Sequence, residues 1–444
     1  MPSAREKATR LVKSLSDKGY QAYFAGGCVR DVLLNKTPKD FDIATDAVPE
    51  QVQACFPHSK SVGAHFGVIL VHLEDDDFEI ATFRAEGNYT DGRHPGEITF
   101  TTAEEDAQRR DFTINGIFYD PIADNYIDYV DGQSDLKNNI IRAIGNPDER
   151  FAEDHLRLLR AIRFAATLDY KIEPATWSAL KEHADKITLI SEERIRDELS
   201  RIFTDPNRVR GFDLLVESGL MNILLPEIIA LQGCDQPPQF HPEGDVFVHT
   251  RLMLSHLPEE ASLPLVLSVL LHDIGKPETR TYDKAADRIR FNAHDRVGAR
   301  MTEKILRRLK YSNETIDTVA EAVASHMIFK DVQKMRVAKL KRFMARPGFD
   351  DELELHRVDC LGSHGMLDNL DFLREKREEF ANEPLIPPPL VTGHDLIKLG
   401  WKPGPDIGHI LEEVQTRQLE GALNTHEEAI AWINDNFSAP SSNT

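Results

Sequence analysis

The stretch that decides the fold is GGCVRD at residues 26–31, followed by KDFD at residues 39–42. Alternation along an extended chain predicts that Asp40 and Asp42 lie on the same side of a β-strand. Two carboxylates this close repel unless cations lie between them, and Mg²⁺ ions carrying nucleotide phosphates are the obvious cations. The glycine pair lets backbone N–H groups approach a triphosphate. We therefore expect nucleotidyl transfer from a nucleoside triphosphate, although Asp-x-Asp alone is usually a solvated strand end.

A third acid strengthens this hypothesis. Glu79 lies in DFEIATFR at residues 77–84, whose alternation of apolar and polar residues predicts a neighbouring strand. Three acids from two adjacent strands would form a cage for two metal ions, which can clamp the attacking and leaving oxygens of an in-line phosphoryl transfer.

Composition sets limits on the rest of the chain. Its 444 residues predict two to four folding units, and its net charge of −21 argues against a broadly basic nucleic-acid binder. A local exception is the run at 330–346, which holds seven Lys or Arg and one Asp and is a candidate for phosphate contact. Four scattered cysteines, no leader sequence and no apolar run of membrane-spanning length lead us to expect an intracellular, cytoplasmic protein without membrane contact.

Changes of pattern along the chain predict an α+β fold in several domains. Short strands alternate with turns in the first part, helical spacing of apolar residues follows, and proline-rich breaks occur near residues 237 and 387. The predicted divisions are a catalytic head with a small sheet at 1–147, a helical neck at 148–235, a second helical domain at 236–380, a short helical unit at 381–436 and a disordered tail at 437–444.

Two more segments carry candidate nucleotide ligands. RRDFTING at 109–116 offers guanidinium groups for phosphate and side chains that can bind a sugar hydroxyl. The same segment could also begin a helix with Asp111 as its N-cap, and the two interpretations are compatible. In RFAEDHLR at 150–157, Asp154 and Arg157 are three residues apart and are predicted to share one helix face. Together they could pair with the edge of a base, whereas the commoner meaning of such a pair is an exposed ion pair.

The ordered set GGCVRD, DFD, EIATFR, RRDFTING and IRAIGNPDERFAEDHLRLLRAIRF resembles the class II tRNA nucleotidyltransferases. That family comprises CCA-adding enzymes and bacterial poly(A) polymerases, within the polymerase-β-like superfamily. The resemblance implies that Asp40 and Asp42 bind catalytic Mg²⁺, that Glu79 is the third carboxylate, and that Asp154 and Arg157 select CTP and then ATP. The other nucleotide-binding residues it implies, for triphosphate, ribose or phosphate, are Gly26, Gly27, Arg30, Asp31, Arg110, Asp111, Asn115, Arg160 and Arg163.

Within the family, we expect CCA addition to tRNA 3′ ends. The segment 87–97, which the resemblance implies is the flexible loop for switching nucleotides, is intact, and extra basic sequence typical of poly(A) polymerases is not found. Terminal-A addition and poly(A) synthesis remain alternatives. So do a catalytically silent RNA-binding protein and a hydrolase whose first half only binds RNA.

The second half has its own candidate site. His249, the pair His272-Asp273 after an apolar helical run, and Asp359 follow the order of the HD superfamily of metal-dependent phosphohydrolases, which the segment HDIGK also resembles. The resemblance implies a divalent metal such as Mn²⁺, Ni²⁺ or Mg²⁺, with His294 and His326 completing a second position. Expected substrates include RNA ends with 3′ or 2′,3′-cyclic phosphates. With 17 histidines in the chain, a degenerate scaffold is the alternative.

Overall fold

The computed structural model of the chain describes residues 2–63, 67–86, 98–237 and 244–437. Its contacts divide the chain into two units, the first running to Ile229 with the short segments Pro258–Glu260 and Arg308–Tyr311, and the second comprising the rest. The finer division into head, neck, HD domain and C-terminal unit stays a prediction. The segment 87–97 and residues 438–444 of the predicted tail lie outside the described residues.

The first unit begins with a mixed sheet and continues as a helical array. Its strands are β1 (Ala22–Ala25), β2 (Ile43–Thr45), β3 (Lys60–Gly63), β4 (Val68–Leu73), β5 (Asp76–Thr82), β6 (Arg84–Glu86), β7 (Ile98–Phe100), β8 (Ile117–Asp120), β9 (Asn125–Asp128), β10 (Ile140–Ile141) and β11 (Lys171–Ile172). Its helices are α1 (Ala4–Ser16), α2 (Gly27–Leu33), α3 (Pro49–Cys55), α4 (Ala103–Gln108), α5 (Gly132–Asn138), α6 (Pro147–Glu153), α7 (Leu156–Thr167), α8 (Pro174–Glu182), α9 (Glu192–Thr204), α10 (Arg208–Glu217), α11 (Leu220–Leu224) and α12 (Pro226–Ile229), with 3₁₀ helices at Thr113–Asn115 and Ala184–Leu189.

Seven of these strands form the main sheet in the order β3-β4-β5-β2-β1-β8-β9. Among the described pairs of this sheet, β2 and β5 are the parallel one, with Ile43 opposite Ile80. Burial alternates along β5, where Phe78, Ile80 and Thr82 are buried, whereas all three residues of β2 in the middle of the sheet are buried. The α+β fold is therefore confirmed, and the register brings the residues that precede β2 beside those at the middle of β5.

The second unit is mainly helical. Its elements are α13 (Val246–His256), α14 (Leu263–Leu271), α15 (Lys276–Thr279), β12 (Arg280–Asp283), β13 (Arg288–Phe291), α16 (His294–Arg308), α17 (Asn313–Ser325), a 3₁₀ helix at His326–Lys334, α18 (Val337–Met344), α19 (Phe349–Leu361), α20 (Asp368–Glu379), α21 (Gly393–Lys398), α22 (Pro405–Leu419) and α23 (His426–Asn436). The β12–β13 hairpin departs from the all-helical prediction. In the described residues, no helix combines the length and apolar character needed to cross a bilayer.

Candidate functional site

The glycine turn lies at the mouth of a pocket in the first unit. Gly26 has a left-handed backbone conformation (φ 71°), and α2 begins at the next residue. A Cβ at Gly26 would lie 3.3 Å from Arg110 Nη1, so the backbone approaches a guanidinium group directly. Glycine is suited to this position because it adopts positive φ without steric cost.

Asp40 and Asp42 lie in an irregular segment just before β2, not on a strand as predicted. The hydrogen-bonded ladder of β2 begins at Ile43, although the Asp42 carbonyl oxygen already accepts a bond from Ala25 N at 3.0 Å. The prediction was wrong about the strand because side chains alternate in any extended segment, with or without a ladder. Glu79 does lie on the neighbouring strand, β5.

The three acids, Asp40, Asp42 and Glu79, interact electrostatically. Burial and then the charges of Asp40 and Glu79 raise the pKa of Asp42 to about 6, against the opposing effect of Arg110. Carboxylates that repel in this way are suited to a divalent cation. In the described residues, however, Asp40, Asp42 and Glu79 do not form a group whose oxygens all lie within 4.8 Å of one another.

A chain of hydrogen-bonded polar groups connects α2 to α7. Arg30 Nη1 donates to Asn115 Oδ1 at 2.9 Å, and Asn115 Nδ2 donates to Asp111 Oδ1 at 3.1 Å. Asp111 Oδ2 accepts two bonds from Arg160, at 2.7 and 2.5 Å. Burial opposes ionisation of Asp111, but Arg160 and Asn115 outweigh it and lower its pKa to about 2. Asp111 lies before the 3₁₀ helix whose N-cap is Phe112, so it is not the N-cap itself.

A second carboxylate, absent from the sequence-based candidates, orients the paired arginines. Asp106 is buried and accepts bonds from Arg109 at 2.7 Å and from Arg110 at 2.9 Å. Burial raises the pKa of Asp106, and the two arginines lower it further than burial raises it. Arg30 is held in a similar way, because its neighbour Asp31 accepts bonds from Nε and Nη2. The spacing of Asp106 from the RRD motif, at i,i+3 and i,i+4, could have identified it.

Asp154 and Arg157 do not share a helix face, because the helix is broken between them. Asp154 has extended backbone at the C-terminus of α6, and its Oδ1 accepts a bond from Leu156 N at the start of α7. Arg194, on α9, donates to both carboxylate oxygens, at 3.3 and 2.9 Å. No pattern in the sequence points to Arg194, which lies 40 residues along the chain from Asp154.

Arg157 is buried and its terminal nitrogens have partners of their own. Nη1 donates to the Arg150 carbonyl oxygen at 2.9 Å and to Glu153 at 2.6 Å, and Nη2 donates to the Arg109 carbonyl oxygen at 3.0 Å. These contacts fix the plane of the guanidinium group beside the pocket. Arg163 is held instead by Glu198, at 2.7 Å.

All but two of the predicted nucleotide and metal ligands of the first unit line one pocket of about 630 Å³; Glu79 and Asp31 are not in its lining. The lining residues are Gly26, Gly27, Arg30, Asp40, Asp42, Arg84, Arg109, Arg110, Asp111, Asn115, Asp154, Arg157, Arg160, Arg163, Phe164 and Arg201. Phe164 contributes a ring beneath three guanidinium groups, with Arg163 closest at 4.2 Å from its centroid.

The second unit brings together the predicted HD residues. His249 lies on α13, His272 is the C-cap of α14, His294 begins α16, and His326 is the C-cap of α17. In each histidine Nδ1 faces a backbone carbonyl oxygen, which can only accept, so Nδ1 carries the proton and Nε2 offers a lone pair. The distances from Nδ1 to the oxygens are 3.2 Å (His249 to Gly362), 2.9 Å (His272 to Val269), 2.7 Å (His294 to Phe291) and 2.6 Å (His326 to Val323).

Asp273 lies between two groups of these imidazoles. His249, His272 and Asp273 form one buried group with ligand atoms within 4.8 Å of one another, and Asp273, His294 and His326 form another. The Nε2 atoms of His294 and His326 are 3.1 Å apart. Two lone pairs this close require a cation or a shared proton. Burial lowers the pKa of His326 to about 4, which disfavours the proton.

Asp359 and Lys276 are charged residues in contact with the two groups. Asp359 Oδ1 lies 3.1 Å from His249 Nε2, so a carboxylate oxygen faces the lone pair of that imidazole. Lys276 Nζ lies 2.6 Å from Asp273 Oδ2. The cluster opens into a cavity of about 1100 Å³, one wall of which is β13. Lys276 was not among the predicted ligands, although the segment HDIGK contains it.

Four families match successive parts of the chain. They are described as Poly A polymerase head domain (residues 22–142), Probable RNA and SrmB- binding site of polymerase A (169–231), HD domain (245–358) and tRNA nucleotidyltransferase domain 2 putative (388–433). The HD match contains His249, His272 and His326, and ends just before Asp359.

Whole-length relatives agree with these matches. The CCA-adding enzyme of Lactobacillus johnsonii is 30% identical over 431 residues, which cover 97% of each chain. The crystal structure of the Bacillus stearothermophilus CCA-adding enzyme in complex with CTP is 26% identical, covers 98% of each chain and has a TM-score of 0.76. The Thermotoga maritima CCA-adding enzyme complexed with tRNA shares the fold, with a TM-score of 0.62 at 19% identity over 99% of this chain and 96% of that one.

Proposed function

This chain belongs to the family of CCA-adding enzymes, and from that premise we propose that its first unit adds C, C and A to tRNA 3′ ends from CTP and ATP. The observation that carries the assignment to these residues is the pocket in which Asp40 and Asp42 face the arginines of the RRD motif and of α7. Nucleotidyl transfer requires carboxylates that can bind Mg²⁺ and, beside them, cationic side chains that can bind a triphosphate.

Each part of the pocket has a role in this proposal. Two Mg²⁺ ions, held by Asp40 and Asp42 with Glu79 in support, would supply charge neutralisation at the reacting phosphate. Arg110 and the backbone at Gly26 bind the triphosphate. Asp111 and Asn115 orient the ribose, and Asp154 with Arg157 reads the base. The tRNA 3′ oxygen bonds to the α-phosphorus, the bond to pyrophosphate breaks, and the hydroxyl proton leaves with solvent.

The test uses tRNA transcripts that end before C, CC or CCA, with each nucleoside triphosphate supplied alone or together, and sizes the products. Stepwise addition that stops at CCA supports the proposal. Addition of A alone, or long A tails on unstructured RNA, would identify the alternative members of the family. Asp40→Ala serves as the inactive control.

We further propose that the HD cluster is a metal-dependent phosphohydrolase site for RNA ends with 3′ or 2′,3′-cyclic phosphates. The support is that all four histidines have the same tautomer. Each donates through Nδ1 to a carbonyl oxygen and presents Nε2, which is the arrangement of histidines that bind a metal. A divalent ion there would activate water and neutralise phosphate charge. In hydrolysis a water oxygen bonds to phosphorus, one ribose P–O bond breaks, and the freed ribose oxygen takes a proton.

Metal content and cyclic-phosphate hydrolysis are measured on the purified full chain, with His272→Ala as the comparison. Loss of both in the variant supports the proposal, and equal hydrolysis in the two proteins refutes it.

We also infer a cytoplasmic location, supported by the four free cysteines, Cys28, Cys55, Cys234 and Cys360, which suit a reducing compartment.

A further inference from the structure

The basic run at residues 330–346 follows directly from His326 of the HD cluster. Its first part continues the 3₁₀ helix His326–Lys334, and its second part forms α18. Lys330 and Lys334 line the same cavity as His272 and His326. The run therefore extends outward from the cluster along one continuous stretch of chain.

The fold itself uses several of the seven cations. Arg342 donates to Thr416 Oγ1 at 2.9 Å, and Arg346 donates to Glu321 at 2.9 Å. Lys341 lies over the ring of Phe380, 4.9 Å from its centroid. These three side chains therefore have partners within the unit.

The remaining cations are differently placed. Lys330, Arg336 and Lys339 are exposed, and in the described part of the chain none of them has an ion-pair partner within 4 Å. Lys334 bonds to Asp331 at 2.7 Å, and the pKa of Asp331 is lowered by this bond and by the charges of Lys330 and Lys339. Because the charges of all three lysines act on one carboxylate, they form one local positive cluster on a chain of net charge −21. Arg336, the N-cap of α18, lies within one turn of Lys339 and extends this cluster.

We propose that Lys330, Arg336 and Lys339 bind the sugar-phosphate backbone of single-stranded RNA whose 3′ end enters the HD cavity. The HD site would then prefer phosphates at the ends of RNA to those of free nucleotides. This inference rests on the proposed hydrolase function, and it adds a polymer-binding surface that the metal cluster does not require. Exposed cations without partners bind RNA phosphates by displacing counterions, so the contribution is strongly salt-dependent.

The experiment compares two substrates of the full chain. One is a short single-stranded RNA ending in a 2′,3′-cyclic phosphate, which cannot be extended by the first unit, and the other is bis-p-nitrophenyl phosphate. The test variant is R336A/K339A, which changes neither the cluster nor the cavity lining. The matched control is K304A/R307A, which removes two exposed cations from α16 about 15 Å or more along that helix from His294.

An exposed ion pair contributes on the order of fivefold to affinity at most. Since R336A/K339A removes two cations, we expect it to raise KM for the RNA about tenfold at low salt. The logarithmic salt slope of KM should decrease by about 1.4, or roughly 0.7 for each lysine or arginine that no longer neutralises a phosphate. Hydrolysis of bis-p-nitrophenyl phosphate should not change. An unchanged KM for RNA, or an equal rise in K304A/R307A, overturns the inference.

A failure of the hydrolase proposal gives a different result. The wild-type chain would then hydrolyse neither substrate after incubation with Mn²⁺, Ni²⁺ or Mg²⁺. In that case fluorescence anisotropy of the same RNA decides the inference. Weaker binding by R336A/K339A than by K304A/R307A supports the surface, and equal binding by the two overturns it.

Discussion

Replacing Arg194 with alanine tests how the chain holds its proposed base-reading carboxylate. Arg194 donates to both oxygens of Asp154, at 3.3 and 2.9 Å, and so fixes the plane of the carboxylate. The two side chains are 28% and 19% exposed, so solvent weakens the pair, and we assign it about 1–2 kcal/mol. Without Arg194, the one remaining side-chain bond of Asp154 among the described residues is the one from Leu156 N.

If Asp154 accepts a hydrogen bond from the amino group of cytosine or adenine, losing its orientation should weaken that bond in the transition state. A loss of about 1–2 kcal/mol corresponds to a reduction of roughly tenfold in kcat/KM for CTP and ATP. UTP, which has no such amino group, should lose less, so discrimination against UTP falls. Arg194→Lys, which keeps the charge but not the fork, should recover part of the discrimination.

The assay measures kcat/KM for CTP, ATP and UTP on tRNA transcripts that lack CCA. Arg196→Ala is the matched control, because Arg196 lies on the same helix and bonds through Nε and Nη2 to Asp197 at 2.9 and 2.7 Å, away from Asp154. If R194A discriminates between CTP and UTP as well as R196A does, Arg194 does not position the base-reading group and the reasoning is refuted.

Three further predictions concern the two sites. Asp42→Ala should abolish nucleotide incorporation and leave the circular dichroism spectrum unchanged, and incorporation near the wild-type rate would contradict its role. Arg160 outweighs burial and lowers the pKa of Asp111 to about 2, so ionised Asp111 stabilises the fold by about 2 kcal/mol above pH 4, and this stabilisation is lost as the pH falls through 2. Asp111→Asn should therefore lower the urea midpoint more at pH 7 than at pH 3, and an equal decrease at both pH values would contradict the prediction. Gly275→Ala should destabilise the second unit by several kcal/mol and reduce metal binding, because its Cβ would lie 2.3 Å from the His294 carbonyl oxygen; a variant with unchanged melting temperature and metal content would contradict this.

Sequence patterns were sufficient where chemistry depends on neighbouring residues in an ordered set. The glycine turn and the aspartate pair were identified from residue types and spacing, and they line one pocket. The HD residues were identified from their resemblance to a known superfamily, and His249, His272, Asp273, His294 and His326 form two adjacent groups. Sequence patterns were wrong about the strand at Asp40 and the continuous helix at Asp154. Alternation and helical spacing predict the direction of side chains, but they do not predict the backbone hydrogen bonds that define a strand or a helix. They gave no sign of the β12–β13 hairpin within a helical region.

Contacts between distant segments were beyond sequence reasoning for a physical reason. Arg194 reaches Asp154 only because α9 packs against α7, and Glu198 reaches Arg163 across the same interface. Nothing in the periodicity of either helix encodes which polar residue will face the other. A search of polar residues on helices predicted to pack together would have produced candidates, but not the pairing.

The distribution of charge explains how so acidic a chain can act on RNA. Eight arginines line the pocket of the first unit against four aspartates, although the chain as a whole carries a net charge of −21. Since salt at physiological concentration screens charges beyond about 8 Å, the acidic remainder does not cancel the local field. It does oppose non-specific binding to RNA elsewhere on the surface. Affinity for a polyanion is therefore confined to the places where phosphates must be held.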